Sequence, residues 1–199
     1  MTDTLILASS SPRRRELLTQ LGLDFEVIAP APDDDPADHR PAVQFATELA
    51  ERKGRSVAGQ DGLGARWVLG ADTVVYDDEE ILLKAADRHE AREMLRRLSG
   101  KTHRVVTALS LFPPAAARSQ RQQTEPDAGA SPHFGRTART ECAVTAVTFA
   151  SLTDTDIEWY LECGQWEGVA AAYRIQGRGA ALVERVEGFA TEAEWRKGY

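Results

Sequence analysis

A chain of 199 residues, 42% of them hydrophobic, is long enough to bury a sizeable core, and a net charge of −7 argues against broad, sequence-independent binding to nucleic acid, which needs a basic face. Its two cysteines, Cys142 and Cys163, lie outside any metal-ligand or CxxC spacing, so they suggest neither a zinc site nor a disulfide framework and are expected to be buried thiols. The apolar start is too short, and lacks the basic flank, for a signal peptide, and no run reaches the length of a membrane span, which points to a cytoplasmic protein with no membrane partner.

Leu5-Ile6-Leu7 reads as a buried strand and the serines after it as a turn. Ser11-Pro12 then reads as N-cap and first position of a helix running to about Gln20, with Leu17, Leu18 and Leu21 facing the core and Gly22 as its stop. Arg13, Arg14 and Arg15 crowd the first turn, where unpaired N–H groups and the helix dipole already make the potential positive. Such an end calls for an anion, and a phosphate would accept both the N–H groups and the guanidinium forks. The plainer alternative is arginines solvated beside acidic neighbours. An acidic protein holding a polyphosphate there could also draw on a divalent cation.

Phe25 to Ile28 alternates like a short strand, and Pro30 to Pro41, with Asp33-Asp34-Asp35, reads as a loop. Val43, Ala46, Leu49 and Ala50 mark a second helix, carrying Glu48, Glu51, Arg52 and Lys53 on its later turns, which Gly54 can end. Gly59, Gly62 and Gly64 look like a nucleotide loop, but no Gly-Lys-Ser/Thr follows and the strand comes after them, so they read as a connection. In that strand, Trp67 to Tyr76, Asp72 interrupts an apolar run. A buried unpaired carboxylate costs several kcal/mol, so Asp72 needs a metal, a cation or a chemical role, unless Asp72-Thr73 caps a bend.

Asp77 to Glu80 reads as a hairpin tip, from which Ile81-Leu82-Leu83 returns and brings Lys84 back toward the start of the strand. Asp87 as N-cap, Glu90 three residues on, the apolar face of Ala91, Met94, Leu95 and Leu98, and Gly100 together specify a helix. His103 to Phe112 reads as a long strand with Val105, Thr107, Leu109 and Leu111 on one face; His103 is either structural or a ligand contact. Residues 113–140 lack periodicity and read as a mobile insertion. Glu141 to Phe149 then reads as a strand antiparallel to the one ending at Phe112. Thr153 with Asp156 opens a helix through Ile157, Tyr160 and Leu161 to Gly164. In Trp166 to Ala180, small residues and glycines around Tyr173 and Gln176 suit a flat ligand whose edge an amide reads, or else form a Gly-rich turn before a strand from Ala181 to Val186.

Ser11-Pro12-Arg13-Arg14, Gly70-Ala71-Asp72-Thr73, the Leu-Ser-Gly-x-x-His-x-Val-x-Thr pattern from Leu98 to Thr107, and Tyr173 to Gly177 occur in this order, and together they resemble the Maf family of nucleoside triphosphate pyrophosphatases. The resemblance covers roughly Leu5 to Gly188, apart from the insertion. It implies an α/β fold: a mixed, elongated, twisted sheet flanked by helices, ITPase-like, with two lobes around a central cleft in a single domain over residues 1–199. The implied reaction is hydrolysis of a nucleoside triphosphate between the α and β phosphates, giving the monophosphate and pyrophosphate.

Carried onto this chain, Ser11, Arg13, Arg14, Lys53 and Lys84 would bind the triphosphate. Asp72 would be the general base or would hold a Mg²⁺ or Mn²⁺ ion, with Asp34 as a second metal ligand. The Ile-Gln-Gly form of the last motif is similar to the branch acting on dTTP and UTP, with Arg13, Thr73 and Gln176 at the positions tied to that preference. The branch acting on 7-methyl-GTP has a Ser-Glu-Gly-like form instead. Several positions depart from the pattern: Asp34 stands where glutamate is usual, Ala85 replaces a proline, and Val169 replaces a lysine. Residues 189–199 replace the usual Gly-Leu-Pro segment and final helix, which bears on a homodimer surface. These departures leave open a 7-methyl-GTP enzyme, or a catalytically weak nucleotide-binding protein with a regulatory role.

Overall fold

The computed structural model describes residues 5–32, 40–63, 65–78, 80–114 and 138–188. Among these, the two periodicities resolve into seven strands and four α-helices: β1 Leu5–Ala8, α1 Pro12–Gln20, β2 Phe25–Val27, α2 Ala42–Ala58, β3 Val68–Asp77, β4 Glu80–Leu82, α3 Arg88–Leu98, β5 Thr102–Phe112, β6 Arg139–Phe149, α4 Asp154–Leu161 and β7 Val183–Gly188. The strands form one mixed, twisted sheet in the order β2-β1-β3-β5-β6-β7, with β4 paired to β3. β1 runs parallel to both β2 and β3, whereas β3–β4 and β6–β7 are antiparallel. Side-chain hydrogen bonds between Thr102 and Thr148 and between Ser110 and Thr140 place the two ends of β5 against opposite ends of β6, so this pair is antiparallel, as the sequence suggests.

Most of the expected insertion (residues 115–137), most of the acidic loop (33–39) and the departing C-terminus (189–199) lie outside the described residues. Among the described residues, no helix is long and apolar enough to cross a membrane. Neither cysteine is fully buried, contrary to expectation: Cys142 is exposed on β6 and Cys163 is half-buried past α4, and both are free thiols.

The chain divides into two compact units, the first comprising Met1–Asp34, Thr47–Asp72 and Ala108–Glu141. Its core joins Ile6 and Ala8 of β1, Val57 and Ala58 of α2, Val68 of β3 and Phe112 of β5. Helix α2 does not end at Gly54 but runs on to Ala58. The reason is a contact that local propensity cannot show. A Cβ on Gly54 would stand 2.3 Å from the Phe112 ring, and one on Gly70 would stand 2.2 Å from the Ala50 carbonyl oxygen and 2.6 Å from the Gly54 amide nitrogen. These glycines let helix and strand backbones touch, so Gly54 serves packing rather than termination. Helix α1 buries Leu18, not the stripe of Leu17 and Leu21: Leu17 is half-buried, and Leu21, at the C-cap beyond the last turn, is 50% exposed.

The second unit comprises Asp35–Ala46, Thr73–Thr107 and Cys142–Tyr199. Its larger core packs Ala91, Leu95 and Leu98 of α3 and Ile157, Tyr160 and Leu161 of α4 against Val75, Val147, Phe149 and Leu182. Both helix starts are specified as read. The Asp87 side chain accepts from the Glu90 amide at 2.8 Å, and Thr153 with Asp156 forms a full capping box. On α2, Phe45 is buried where Val43 was expected, and Val43 is exposed. The hairpin tip is narrower than the four acidic residues suggest. Asp77 stays in β3 opposite Glu80, buried, with its carboxylate accepting from Arg97 Nε at 3.1 Å. β5 alternates as read, and its more buried face is the one with Val106 and Ala108, while Leu109 is 40% exposed. β7 starts at Val183, later than expected, because Arg178–Leu182 winds into a 3₁₀ turn.

His103 is a core residue. Its Nε2 lies 2.7 Å from the Tyr173 hydroxyl, and its ring meets Phe149 and Tyr173 edge-on. Burial pushes its pKa from 6.5 down to about 4, with the charge of Asp77 pulling the other way. The unfolded chain therefore takes up a proton below pH 6.5 that the folded protein refuses. The stability held by the neutral ring is intact above pH 6.5 and lost as the pH falls toward 4, by about 1.4 kcal/mol per pH unit. Denaturant unfolding at pH 7.5 and pH 5 should show a larger acid loss in the wild type than in His103→Gln. Equal losses would remove this histidine as the source.

Candidate functional site

In the first unit, β1 feeds α1 through a turn that the Ser9 hydroxyl braces. Ser11 occupies the N-cap position in extended conformation, but its side chain makes no capping bond. The buried Ser9 hydroxyl instead accepts from the Ser11 amide and from Arg14 Nη1, both at 3.2 Å. Pro12 sits at the first helical position, and no acidic residue shares the first turn with Arg13, Arg14 and Arg15. Of the three guanidiniums, that of Arg14 is held by a buried serine that the sequence reading passed over.

Asp72 lies in the middle of β3 and is buried, and its Oδ1 accepts a charge-assisted hydrogen bond from Lys53 Nζ of α2. A lysine on a helix and an aspartate on a strand carry no local signal of their meeting. The glycine contact lies beside them: Gly54 directly follows Lys53, and Gly70, two residues before Asp72, packs on the α2 backbone there. Lys53, expected as a phosphate ligand, is thus also the cation that makes a buried carboxylate affordable.

In the second unit, Thr73 follows on β3 and is half-buried, its hydroxyl 3.1 Å from that of Thr107 on β5. Lys84 is exposed just past β4, and its backbone bridges to Ala170. Next to that bridge, Ala171 donates its amide to the Leu83 carbonyl at 3.0 Å, and Ala171 and Ala172 both adopt left-handed conformations, with φ of 54° and 55°. Gln176 lies in the turn that follows and is half-buried.

That turn is fixed at many points. Tyr173 is held by His103, the Arg174 amide donates to the Tyr160 hydroxyl at 3.0 Å, and the Arg178 amide donates to Gln165 Oε1 at 3.0 Å. Gly179 fits only because it lacks a side chain, since a Cβ there would stand 2.0 Å from the Arg174 carbonyl oxygen. Tyr160 and Gln165 are supports that sequence reading missed. Their only signal would have been polar groups placed just ahead of a glycine-rich turn.

Asp34, the second expected metal ligand, lies outside the described residues. Among the described residues, no group of three or more His, Cys, Asp or Glu side chains could hold a metal ion.

With this geometry in view, similarity to known proteins is informative. The model of a family described as Maf-like protein matches residues 4–192. A dTTP/UTP pyrophosphatase of Symbiobacterium thermophilum is 41% identical over 92% of this chain and 83% of its own length. The protein of the same name from Salmonella typhimurium is 40% identical over 93% of this chain and 83% of its own, and that of Myxococcus xanthus is 40% identical over 92% and 82%.

Proposed function

Since the chain belongs to the Maf-like protein family, we infer that it is a nucleoside triphosphate pyrophosphatase, hydrolysing dTTP and UTP to the monophosphate and pyrophosphate. The observation that carries the residue-level reading is a buried carboxylate, Asp72, held by Lys53 in the middle of a strand. Lys53 engages Oδ1, and we assign Oδ2 the attacking water. In this scheme the water gives a proton to Asp72, its oxygen bonds to the α-phosphorus, and the bond to the bridging oxygen of the β-phosphate breaks, releasing pyrophosphate. Arg13 and Arg14, with the amides at the start of α1, bind the phosphates, Ser11 adds a hydroxyl, and Lys84 adds charge. Thr73 and Gln176 read the pyrimidine, since an amide can both donate and accept along its edge.

The donor set also bears on a divalent cation. Mg²⁺ commonly uses one or two carboxylates and completes its shell with substrate phosphates and water, so, as the alternative to the base role, Asp72 would hold Mg²⁺ or Mn²⁺ arriving with the triphosphate, with Asp34 as a second ligand. When bound, such an ion supplies neutralising charge on the phosphate oxygens.

The test is pyrophosphate release from dTTP, UTP, CTP and 7-methyl-GTP with Mg²⁺ or Mn²⁺. Turnover of the pyrimidine nucleotides supports the reading, and tight binding without turnover of any of them would make the protein a nucleotide sensor instead. In the same assay Gln176→Glu should reduce kcat/KM for dTTP and UTP by about 10²-fold or more, because a site built around a hydrogen bond discriminates strongly when the partner is wrong. A uniform fall across all four nucleotides would show that Gln176 supports the turn and does not read the base.

A further inference from the structure

We propose that Thr107 is a positioning residue for nucleotide recognition, acting through Thr73. The inference rests on the pyrimidine-nucleotide reading above and goes on to ask what aims the Thr73 hydroxyl. β3 and β5 are neighbours in the sheet, and the two threonine oxygens stand 3.1 Å apart, so one hydroxyl donates to the other. A threonine hydroxyl can rotate to suit any partner, but a threonine χ1 is stiff and the oxygen itself has few choices of place. A second β-branched hydroxyl on the adjacent strand therefore holds the Thr73 oxygen in place, by donating to it or by accepting from it.

Packing alone does not account for a hydroxyl at position 107. Its neighbours Val106 and Ala108 are fully buried on the alternate face of β5, and Thr107 itself is only half-buried, where a valine of the same shape would serve the sheet equally well. The pair also excludes Asp72, whose carboxylate turns to Lys53 on α2 while Thr73 turns to β5. Losing Thr107 should therefore loosen how the nucleotide is held more than it alters the chemical step.

The experiment measures steady-state hydrolysis of dTTP and UTP, together with thermal unfolding, in the wild type, Thr107→Val, Thr107→Ser, Thr73→Val and the double variant Thr73→Val/Thr107→Val. Thr107→Val should raise KM about five- to tenfold, the value of one modest hydrogen bond, with kcat within about twofold. Thr107→Ser, which keeps the oxygen, should recover most of that. The double variant should be no worse than Thr73→Val, because a residue acting through another adds nothing once that other is gone. Losses that multiply in the double variant, a serine variant as poor as the valine, or a fall in kcat at unchanged KM would each overturn the proposal. If the valine variant unfolds, Thr107→Ala stands in for it under the same criteria. A wild type that turns over neither nucleotide would bring down the functional reading itself, and the positioning role with it; failure of the variants alone leaves that reading intact.

Discussion

Asp72→Asn should lower kcat for dTTP and UTP by about 10²- to 10⁴-fold, the usual cost of losing a positioned general base. Triphosphate binding should change little. The amide oxygen of asparagine can still accept from Lys53, so the bond between β3 and α2 survives while the basicity is gone. The two parts of the outcome are measured separately: pyrophosphate release gives turnover, and calorimetric titration with a non-hydrolysable triphosphate gives affinity. Near wild-type turnover would remove Asp72 from the mechanism. A parallel collapse of affinity, relieved by raising the Mg²⁺ concentration, would instead assign the carboxylate to holding the cation.

The second large effect is expected at a residue with no side chain, two positions before Asp72. Gly70→Ala should destabilise the protein by about 3 kcal/mol, at the upper end of what overpacking costs, because the added methyl would meet backbone atoms that cannot rotate away. Those atoms are the Ala50 oxygen at 2.2 Å, the Gly54 nitrogen at 2.6 Å and the Gly54 Cα at 2.8 Å. For a chain of this length that corresponds to a fall in Tm of roughly 10 °C. Activity at a temperature where the variant is still folded should also drop, since moving α2 away from β3 separates Lys53 from Asp72. An unchanged Tm would mean that α2 can slide without cost. An unchanged kcat in a destabilised variant would mean that the Lys53–Asp72 pair does not depend on this contact.

Legibility in the sequence followed the range of the forces involved. The starts of α3 and α4 were readable because a capping residue and its partner lie three positions apart, so the whole interaction is written locally. The middle of α2 was not: a glycine after several good helix positions looks like a stop, and only the opposing Gly70 and the Phe112 ring show that it is a contact point. Which face of β5 is the more buried was not written in the sequence for a related reason. Val105, Thr107, Leu109 and Leu111 form the bulkier alternation, yet the structure buries the one containing Val106, Ala108, Ser110 and Phe112. In a central strand both faces meet other elements, and size alone does not say which is better covered.

At the site, the sequence marked Asp72 correctly as a carboxylate needing a partner but could not name Lys53, which is distant along the chain. It placed Ser11 correctly at the N-cap of α1 with Pro12 after it, but not the Ser9 hydroxyl that accepts from the Ser11 amide and from Arg14. The supports of the Gln176 turn come from two separate stretches, His103 at the start of β5 and Tyr160 and Gln165 at the end of α4 and just past it, and no spacing rule joins them.

The consecutive left-handed alanines before that turn have a consequence for modularity. Each of Ala171 and Ala172 holds a conformation that costs an L-residue about 1–2 kcal/mol, and a free peptide would abandon it. The shape is kept only because the Leu83 carbonyl, the Lys84 bridge and the surrounding core hold it in place. The stretch from Trp166 to Ala180 is therefore not a cassette that can be cut out and grafted onto another scaffold with its shape intact. Its information resides in the walls around it, and a designer wishing to move it would have to transplant the return from β4 and both capped helices as well.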